Sequence, residues 1–311
     1  MKAPFLYDIV ILTDNRYVAP KVLNDYKRNV LLEDQLIAQA LTAEGYKVWR
    51  TNWDNAEFDW STTKMILFRT TWDYFDRFEE FFNWLNVVRT KTQLVNSYDL
   101  IQWNIDKHYL QDLHQKGIKI VDTYFIEKED PRSLLEIFEH CDWQDAILKP
   151  AIAGAARHTY KIHSKNVESY TPVFKDLIQE EAMLLQPFQH RVLTKGEVSL
   201  MAFGGQYSHA ILKRAKPGDF RVQDDFGGSV HDYAANEQEI AFCEAVIRAC
   251  PELPVYARVD AMWNDDNELC VSEVEMIEPE LWMRNHPEAA NTFAKALKDS
   301  RRNCESKKRT Q

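Results

Sequence analysis

The chain holds only nine glycines in 311 residues, and six of those lie between Gly196 and Gly228. No Walker A lysine loop and no GxGxxG after a strand can be found, so phosphate binding by those two devices is excluded. The five cysteines (Cys141, Cys243, Cys250, Cys270 and Cys304) are odd in number and form no CxxC pair, which indicates neither a disulfide framework nor a zinc site. Positive charge is in short supply. A formal net charge of −10 argues against a general nucleic-acid partner, which would display a basic surface. Long apolar runs are missing too. Phe5 to Thr13 is too short and too interrupted for a signal peptide or a membrane span, so no membrane partner is expected and a reducing cytoplasm is the default compartment.

What is present is an ordinary globular composition, 45% hydrophobic and 28% charged, long enough for two or three packed subdomains. Residues 1–95 alternate strand and helix signals: strands at Tyr7 to Thr13, Tyr46 to Arg50 and Met65 to Arg69, helices at Leu31 to Glu44 and Arg77 to Val88. That alternation predicts an α/β layer with a mostly parallel sheet. Residues 96–186 carry a helix over Asn104 to Lys116, a strand over Ile118 to Ile126, a helix over Pro131 to His140 and a strand over Asp145 to Lys149. Residues 187–298 are mostly strands (Glu197 to Phe203, Gln206 to Lys213), interrupted by a helix over Asn236 to Cys250. The polar stretch 299–311 reads as a disordered tail.

The most informative stretch is Arg258–Val259–Asp260 with Glu273–Val274–Glu275. Val255 to Trp263 and Leu269 to Ile277 read as two strands joined by a polar turn. A two-residue turn at Asp266–Asn267 sets Arg258 opposite Glu275 and Asp260 opposite Glu273, all four on one face of the sheet. Ala257, Val259, Ala261, Val274 and Met276 then face a core. Carboxylates packed this densely need a cation, and hard oxygen ligands favour Mg²⁺ completed by water and phosphates. A plain half-buried hairpin with Arg258 as its counter-ion has the same alternation, so the hairpin alone leaves both readings open.

Other groups are suggestive rather than decisive. Lys149 ends a strand directly before the small-residue loop Pro150 to Arg157, where its ammonium and the loop amides suit phosphate. Lys107 lies in a helix, and Leu184 to Phe188 is an apolar strand running into a proline, a wall for a flat base. Arg69 to Tyr74 sits at the carboxyl end of a parallel strand, where ligands collect in such sheets.

The order of these pieces resembles the ATP-grasp superfamily, and more specifically the branch of small-molecule ligases that includes the D-cycloserine-forming ligase. The shared elements are Arg69 to Tyr74 (Arg–Thr–Thr–Trp–Asp–Tyr), Asn104 to Leu110, Lys149–Pro150, Gln186 to Phe188, Gly196 to Ser199, Phe220 to Gly228, Arg258 to Asp260 and Glu273 to Pro279. The resemblance spans roughly Met65 to Leu297. It implies an ATP-grasp fold of α/β (α+β) class behind an N-terminal α/β pre-ATP-grasp domain, and an ADP-forming carboxylate–amine ligase acting through an acylphosphate. Lys107, Lys149 and Gly154 would hold the ATP phosphates, Gln186 and Phe188 the adenine, and Glu197 the ribose. Asp260, Glu273 and Glu275 would bind two Mg²⁺, with Mn²⁺ an alternative. Arg258, Lys213 and Arg221 would be catalytic, on or beside a loop from Lys213 to Gly228 that closes over the intermediate. Arg69, Trp72 and Asp73 would meet a substrate. The chain departs from the common pattern at Glu275, where many ATP-grasp enzymes carry Asn, and in a phosphate flap with Gly154 as its sole glycine. Small carboxylate and amine substrates are implied. A peptide-modifying ligase, a non-catalytic ATP-binding module and a homodimer all stay open.

Overall fold

The computed structural model describes residues 4–222 and 227–309, with side chains as far as Arg302. Its first layer runs β1 (Tyr7–Thr13), α1 (Asp25–Ala43), β2 (Val48–Asn52), β3 (Thr63–Thr70), α2 (Phe78–Val88) and β4 (Gln93–Val95). The strands form a parallel sheet in the order β2-β1-β3-β4. Ile9 to Leu12 and Ile66 to Phe68 have no solvent exposure, as expected of strands covered on both faces. Helix α1 begins earlier than apolar spacing suggests, because the Asn24 side chain accepts from the Lys27 amide and caps a polar first turn.

The second layer comprises α3 (Tyr98–Asn104), α4 (Tyr109–Gln115), β5 (Tyr124–Ile126), α5 (Leu134–Cys141), β6 (Asp145–Pro150), β7 (Tyr160–His163), α6 (Thr171–Glu180) and β8 (Met183–Pro187). Its antiparallel sheet has the order β5-β8-β6-β7. The single helix expected over Asn104 to Lys116 is two helices with a break at residues 105–108. Asn104 turns its amide to distant backbone, donating to the Val274 carbonyl (2.7 Å) and accepting from the Met276 amide (2.8 Å). The Lys107 amide likewise leaves the helix to bond the Ala151 carbonyl at 3.0 Å. The expected strand over Ile118 to Ile126 shortens to β5, because 119–121 is drawn to another sheet edge by backbone bonds between Lys119, Val121 and Val271.

The third layer contains α7 (Val192–Lys195), β9 (Glu197–Phe203), β10 (Gln206–Arg214), β11 (Ser229–Tyr233), α8 (Glu237–Ala249), β12 (Tyr256–Trp263), β13 (Leu269–Glu275) and α9 (Ala289–Arg309). Its antiparallel sheet has the order β11-β10-β9-β12-β13. Helix α8, opened by an Asn236–Glu239 capping box, packs Cys243, Val246 and Ile247 on one face of this sheet, against Leu200, Ala257 and Val259. The other face looks into a cleft shared with the second layer.

The tail expected from Asp299 onward is instead helical as far as Arg309. Phe293, Ala294 and Leu297 anchor α9 in a core shared with Ile37 and Leu41 of α1. The residues beyond, rich in Lys and Arg, continue that anchored helix because these two favour it intrinsically. Lys298 pairs with Glu44 at 2.5 Å. Among the described residues no helix is long and apolar enough to cross a membrane.

Candidate active site

The β12–β13 hairpin pairs Arg258 with Glu275, Val259 with Val274 and Asp260 with Glu273, the register read from the sequence. The route to it differs. Asn264 pairs with Glu268 around a three-residue loop, with Asn267 in the left-handed region at φ 65°. That loop is one residue longer than a two-residue turn. A β-bulge between Asp260 and Ala261 takes up the extra residue, Ser272. The bulge brings the Ser272 hydroxyl to Glu197 Oε2 on β9, a hydrogen bond of 3.1 Å.

One oxygen each of Asp260, Glu273 and Glu275 lies within 4.8 Å of the others. Cations surround this cluster. Arg258 donates to Asp260 (Nη2 to Oδ2, 2.8 Å) and also to Glu275. Lys213 of β10 pairs with Glu197 and stands 3.3 Å from Asp260 Oδ1, while Lys107 stands 3.1 Å from Glu273 Oε1. Ser199 of β9 adds a hydroxyl hydrogen bond to Asp260. Burial alone would raise the Asp260 carboxyl, but Arg258 and Lys213 outweigh it and hold it at about 2. For Glu273 burial is again opposed, by Lys107 and Lys149, and the result lies below the ordinary value. Burial wins at Glu275, pushed up to about 8 with repulsion from Glu273 and Asp260 adding to it. The Lys149 ammonium is pushed down by burial.

These groups line one cleft of about 350 Å³ between the two antiparallel sheets. Lys107, Lys149, Gly154, Gln186, Phe188, Glu197, Lys213, Arg221, Arg258, Asp260, Glu273 and Glu275 all contribute to its wall, as does Trp72. Phe188 meets Phe220 edge-on at 6.0 Å, and Ile147, Val192 and Val222 complete an apolar pocket around them. Gln186 is anchored by donating to Thr123 Oγ1 at 2.8 Å. On the flap, a Cβ at Gly154 would come within 2.5 Å of the Phe75 ring, so the glycine permits a close approach there. Ala155 and Ala156 both take left-handed backbone, φ 49° and 55°, a conformation usually left to glycine. The Arg221 guanidinium is held by Asp219 at 2.8 Å. Of the Phe220–Gly228 motif, 223–226 lie outside the described residues.

Two of the three residues expected to meet substrate from the first layer do not reach the cleft. Arg69 is fully buried and clasps Glu33 of α1 (2.6 Å) and the Pro279 carbonyl (2.7 Å). Asp73 accepts from Trp53 Nε1 (2.7 Å) and Arg77 (2.9 Å) inside its own layer. Side chains leaving a strand end alternate in direction, and these two turn inward to satisfy buried donors. Trp72 does border the cleft, tied by its Nε1 to the Glu278 carbonyl at 2.8 Å.

Comparison with known proteins accords with this architecture. The sequence profile of the N-terminal domain of D-cycloserine synthetase DcsG matches residues 9–96. The cycloserine biosynthesis protein DcsG of Streptomyces lavendulae is 29% identical over 272 residues, covering 79% of this chain and 86% of that protein. The crystal structure of D-cycloserine synthetase DcsG superposes with a TM-score of 0.80 at 24% identity, covering 94% of this chain and 99% of the other. The chain has the ATP-grasp fold. The structure of the ATP-grasp ligase PsnB complexed with minimal precursor, Mg and ADP matches with a TM-score of 0.59 at 15% identity, over 93% of this chain and 96% of PsnB.

Within this ATP-grasp framework the cleft extends past the Asp260, Glu273 and Glu275 cluster to groups the sequence did not single out. Arg16 and Tyr17 follow β1, the strand paired with β3, and Tyr26 lies on α1; Tyr17 and Tyr26 flank Trp72, with ring centres 5.8 and 6.1 Å away. Their signal was available, since polar residues after β1 occupy the carboxyl edge of a parallel sheet. Glu278, hydrogen-bonded to Tyr74 and raised to about 7 chiefly by burial, and Glu280 also face this end. They fall just past the strand alternation that exposed the carboxylate cluster.

Proposed function

We propose that this ATP-grasp protein is an ADP-forming ligase that activates a small carboxylate as its acylphosphate and joins it to an amine. The observation that carries the reading is the cluster of Asp260, Glu273 and Glu275, with oxygens within 4.8 Å of one another, ringed by Lys107, Lys213 and Arg258. Among the described residues, six acidic and six basic side chains line the cleft. Lys107, Lys213 and Arg258 are each already paired with one of these acidic groups, so a polyanionic triphosphate would bring cations of its own. Three clustered hard-oxygen donors suit Mg²⁺. Held by Asp260, Glu273 and Glu275, two Mg²⁺ would neutralise phosphate charge, with Mn²⁺ an alternative.

The chain's own groups supply the rest. Phe188 and Gln186 would bound the adenine and Glu197 would accept from ribose hydroxyls. Lys107, Lys149 and the slim flap at Gly154 would hold the phosphates. A substrate carboxylate oxygen attacks the γ-phosphorus as its bond to the β-phosphate oxygen breaks and ADP departs. The amine lone pair then attacks the acyl carbon, phosphate leaves with the C–O electrons, and the nitrogen loses a proton. Arg258 and Lys213, which stand against the carboxylate cluster, would offset the charge that builds in both steps, as fixed cations do when they lower a barrier. Arg221 would shield the intermediate from water.

The test is release of ADP and phosphate from ATP and Mg²⁺ across pooled amino acids and small carboxylates, with hydroxylamine as a trap. Acid-dependent ADP release with a hydroxamate product supports the reading and names the acid. Turnover confined to peptides would move the assignment to a peptide-modifying ligase, and ATP binding that no pool stimulates would favour a non-catalytic module.

A further inference from the structure

We propose that Trp282 is the positioning residue of this site: its ring backs the Arg258 guanidinium and the Lys213 ammonium and holds both against the carboxylate cluster. The inference deepens the ligase reading and rests on it for its kinetic consequence.

The Arg258 Cζ lies 5.0 Å and the Lys213 Nζ 5.7 Å from the Trp282 ring centre, both inside the range of cation–π attraction. Each cation is thereby held between a carboxylate and an aromatic face, Arg258 against Asp260 and Glu275, Lys213 against Glu197 and Asp260. A long flexible lysine or arginine has many rotamers, and a stacking surface behind it removes most of them. Trp282 is 4% exposed, and its backbone lies in the left-handed region at φ 46°. A bulky side chain seldom adopts that region unless its surroundings impose it.

The surroundings do impose it. On either side of Trp282 the Glu33 carboxylate accepts from the Leu281 amide (2.9 Å) and the Met283 amide (3.0 Å). His209 Nε2 bonds the Leu281 carbonyl at 2.7 Å, and Arg258 Nη1 returns to the Glu280 carbonyl at 3.2 Å. Arg69 fixes Glu33 in turn. A buried tryptophan that only filled space would need neither this clamp nor cations on its face. Its indole Nε1 has no hydrogen-bond partner among the described residues, so the arrangement uses the ring and not the N–H.

That distinction sets the experiment. W282F keeps a ring, W282L removes it, and W282G removes it while accepting the left-handed backbone without strain. ADP release should stay within about threefold of wild type for W282F. For W282L and W282G kcat should fall about 100-fold, the scale expected of misplaced catalytic groups, with the KM for ATP little changed. Equal kcat in W282L and wild type would overturn the proposal, as would a loss in W282F as large as in W282L. The Arg258 Nε–Hε resonance, assigned by its absence in R258K, provides a second readout that needs no turnover. One protected, well-dispersed signal in wild type and W282F, lost to averaging in W282L, is expected; an unchanged signal in W282L overturns the proposal even if wild type releases no ADP. Absence of ADP release from wild type refutes the ligase reading alone.

Discussion

Ser272 donates to Glu197 across 3.1 Å, from one strand of the third sheet to another. It does so because β13 carries one residue more than β12 can pair, and the bulge turns that residue toward the cleft. The same bulge cancels the longer turn, leaving Asp260 opposite Glu273. Removing the hydroxyl in Ser272→Ala leaves a buried carboxylate with one donor fewer, a loss of about 0.5–1.5 kcal/mol. If Glu197 binds ribose, the KM for ATP should rise roughly three- to tenfold with kcat little changed. An unaltered KM would separate Glu197 from the nucleotide.

Glu273 is the metal candidate with the simplest local chemistry, since Lys107 lies 3.1 Å from it and its carboxyl is held below the ordinary value. Glu273→Gln keeps the shape and removes the charge. ADP release should fall by at least about 100-fold, and chelation of divalent ions should silence the wild type until Mg²⁺ is restored. Unimpaired turnover in this variant would sink the metal assignment.

Arg69 was expected at the substrate and is found in the core, paired with Glu33 at 2.6 Å. Breaking a buried pair strands its partner, so Arg69→Ala should cost about 3–5 kcal/mol of stability, read from urea unfolding. Restoring neutrality with Glu33→Gln in the same chain should recover part of that loss. A variant that unfolds normally but shows a selectively raised KM for the acid would return Arg69 to the substrate.

The contrast between Arg69 and Asp260 shows what local pattern can and cannot reveal. Asp260, Glu273 and Arg258 were legible because period-two alternation assigns the face of every residue in a regular hairpin. Lys149, which lines the cleft, was singled out only through the order of the motifs, since a strand-end lysine taken alone is more often a solvated surface residue. Arg69 and Asp73 were misread because a strand terminus gives no information about which buried donor lies across the layer. The break that aims Lys107 into the cleft depends on Asn104 bonding to Val274, 170 residues away, and no window on the sequence contains both. Trp282 escaped notice for the same reason, lying in irregular backbone shaped by Glu33 and His209 from other elements. The parallel first sheet and the antiparallel third were readable as element types; how the layers meet was not.

His209 gives a pH prediction that stands apart from the cleft carboxylates. Its Nε2–H donates to the Leu281 carbonyl at 2.7 Å, its ring lies 4.7 Å from that of His286, and burial pushes its imidazole down to about 4 from an ordinary 6.5. Above 6.5 the residue is neutral whether the chain is folded or not, and its native contacts count in full. Between 6.5 and 4 the unfolded chain takes up a proton that the folded chain refuses, so stability falls as pH falls. Below 4 both states are protonated and the loss is complete, at about 3 kcal/mol. His209→Gln keeps an N–H for Leu281 without a titrating group. Compared by urea unfolding at pH 7 and pH 4.5, the variant should lose roughly 2–3 kcal/mol less than wild type over that interval. Parallel losses in the two proteins would mean that His209 takes up its proton while folded, and that the clamp on Leu281 survives its charging.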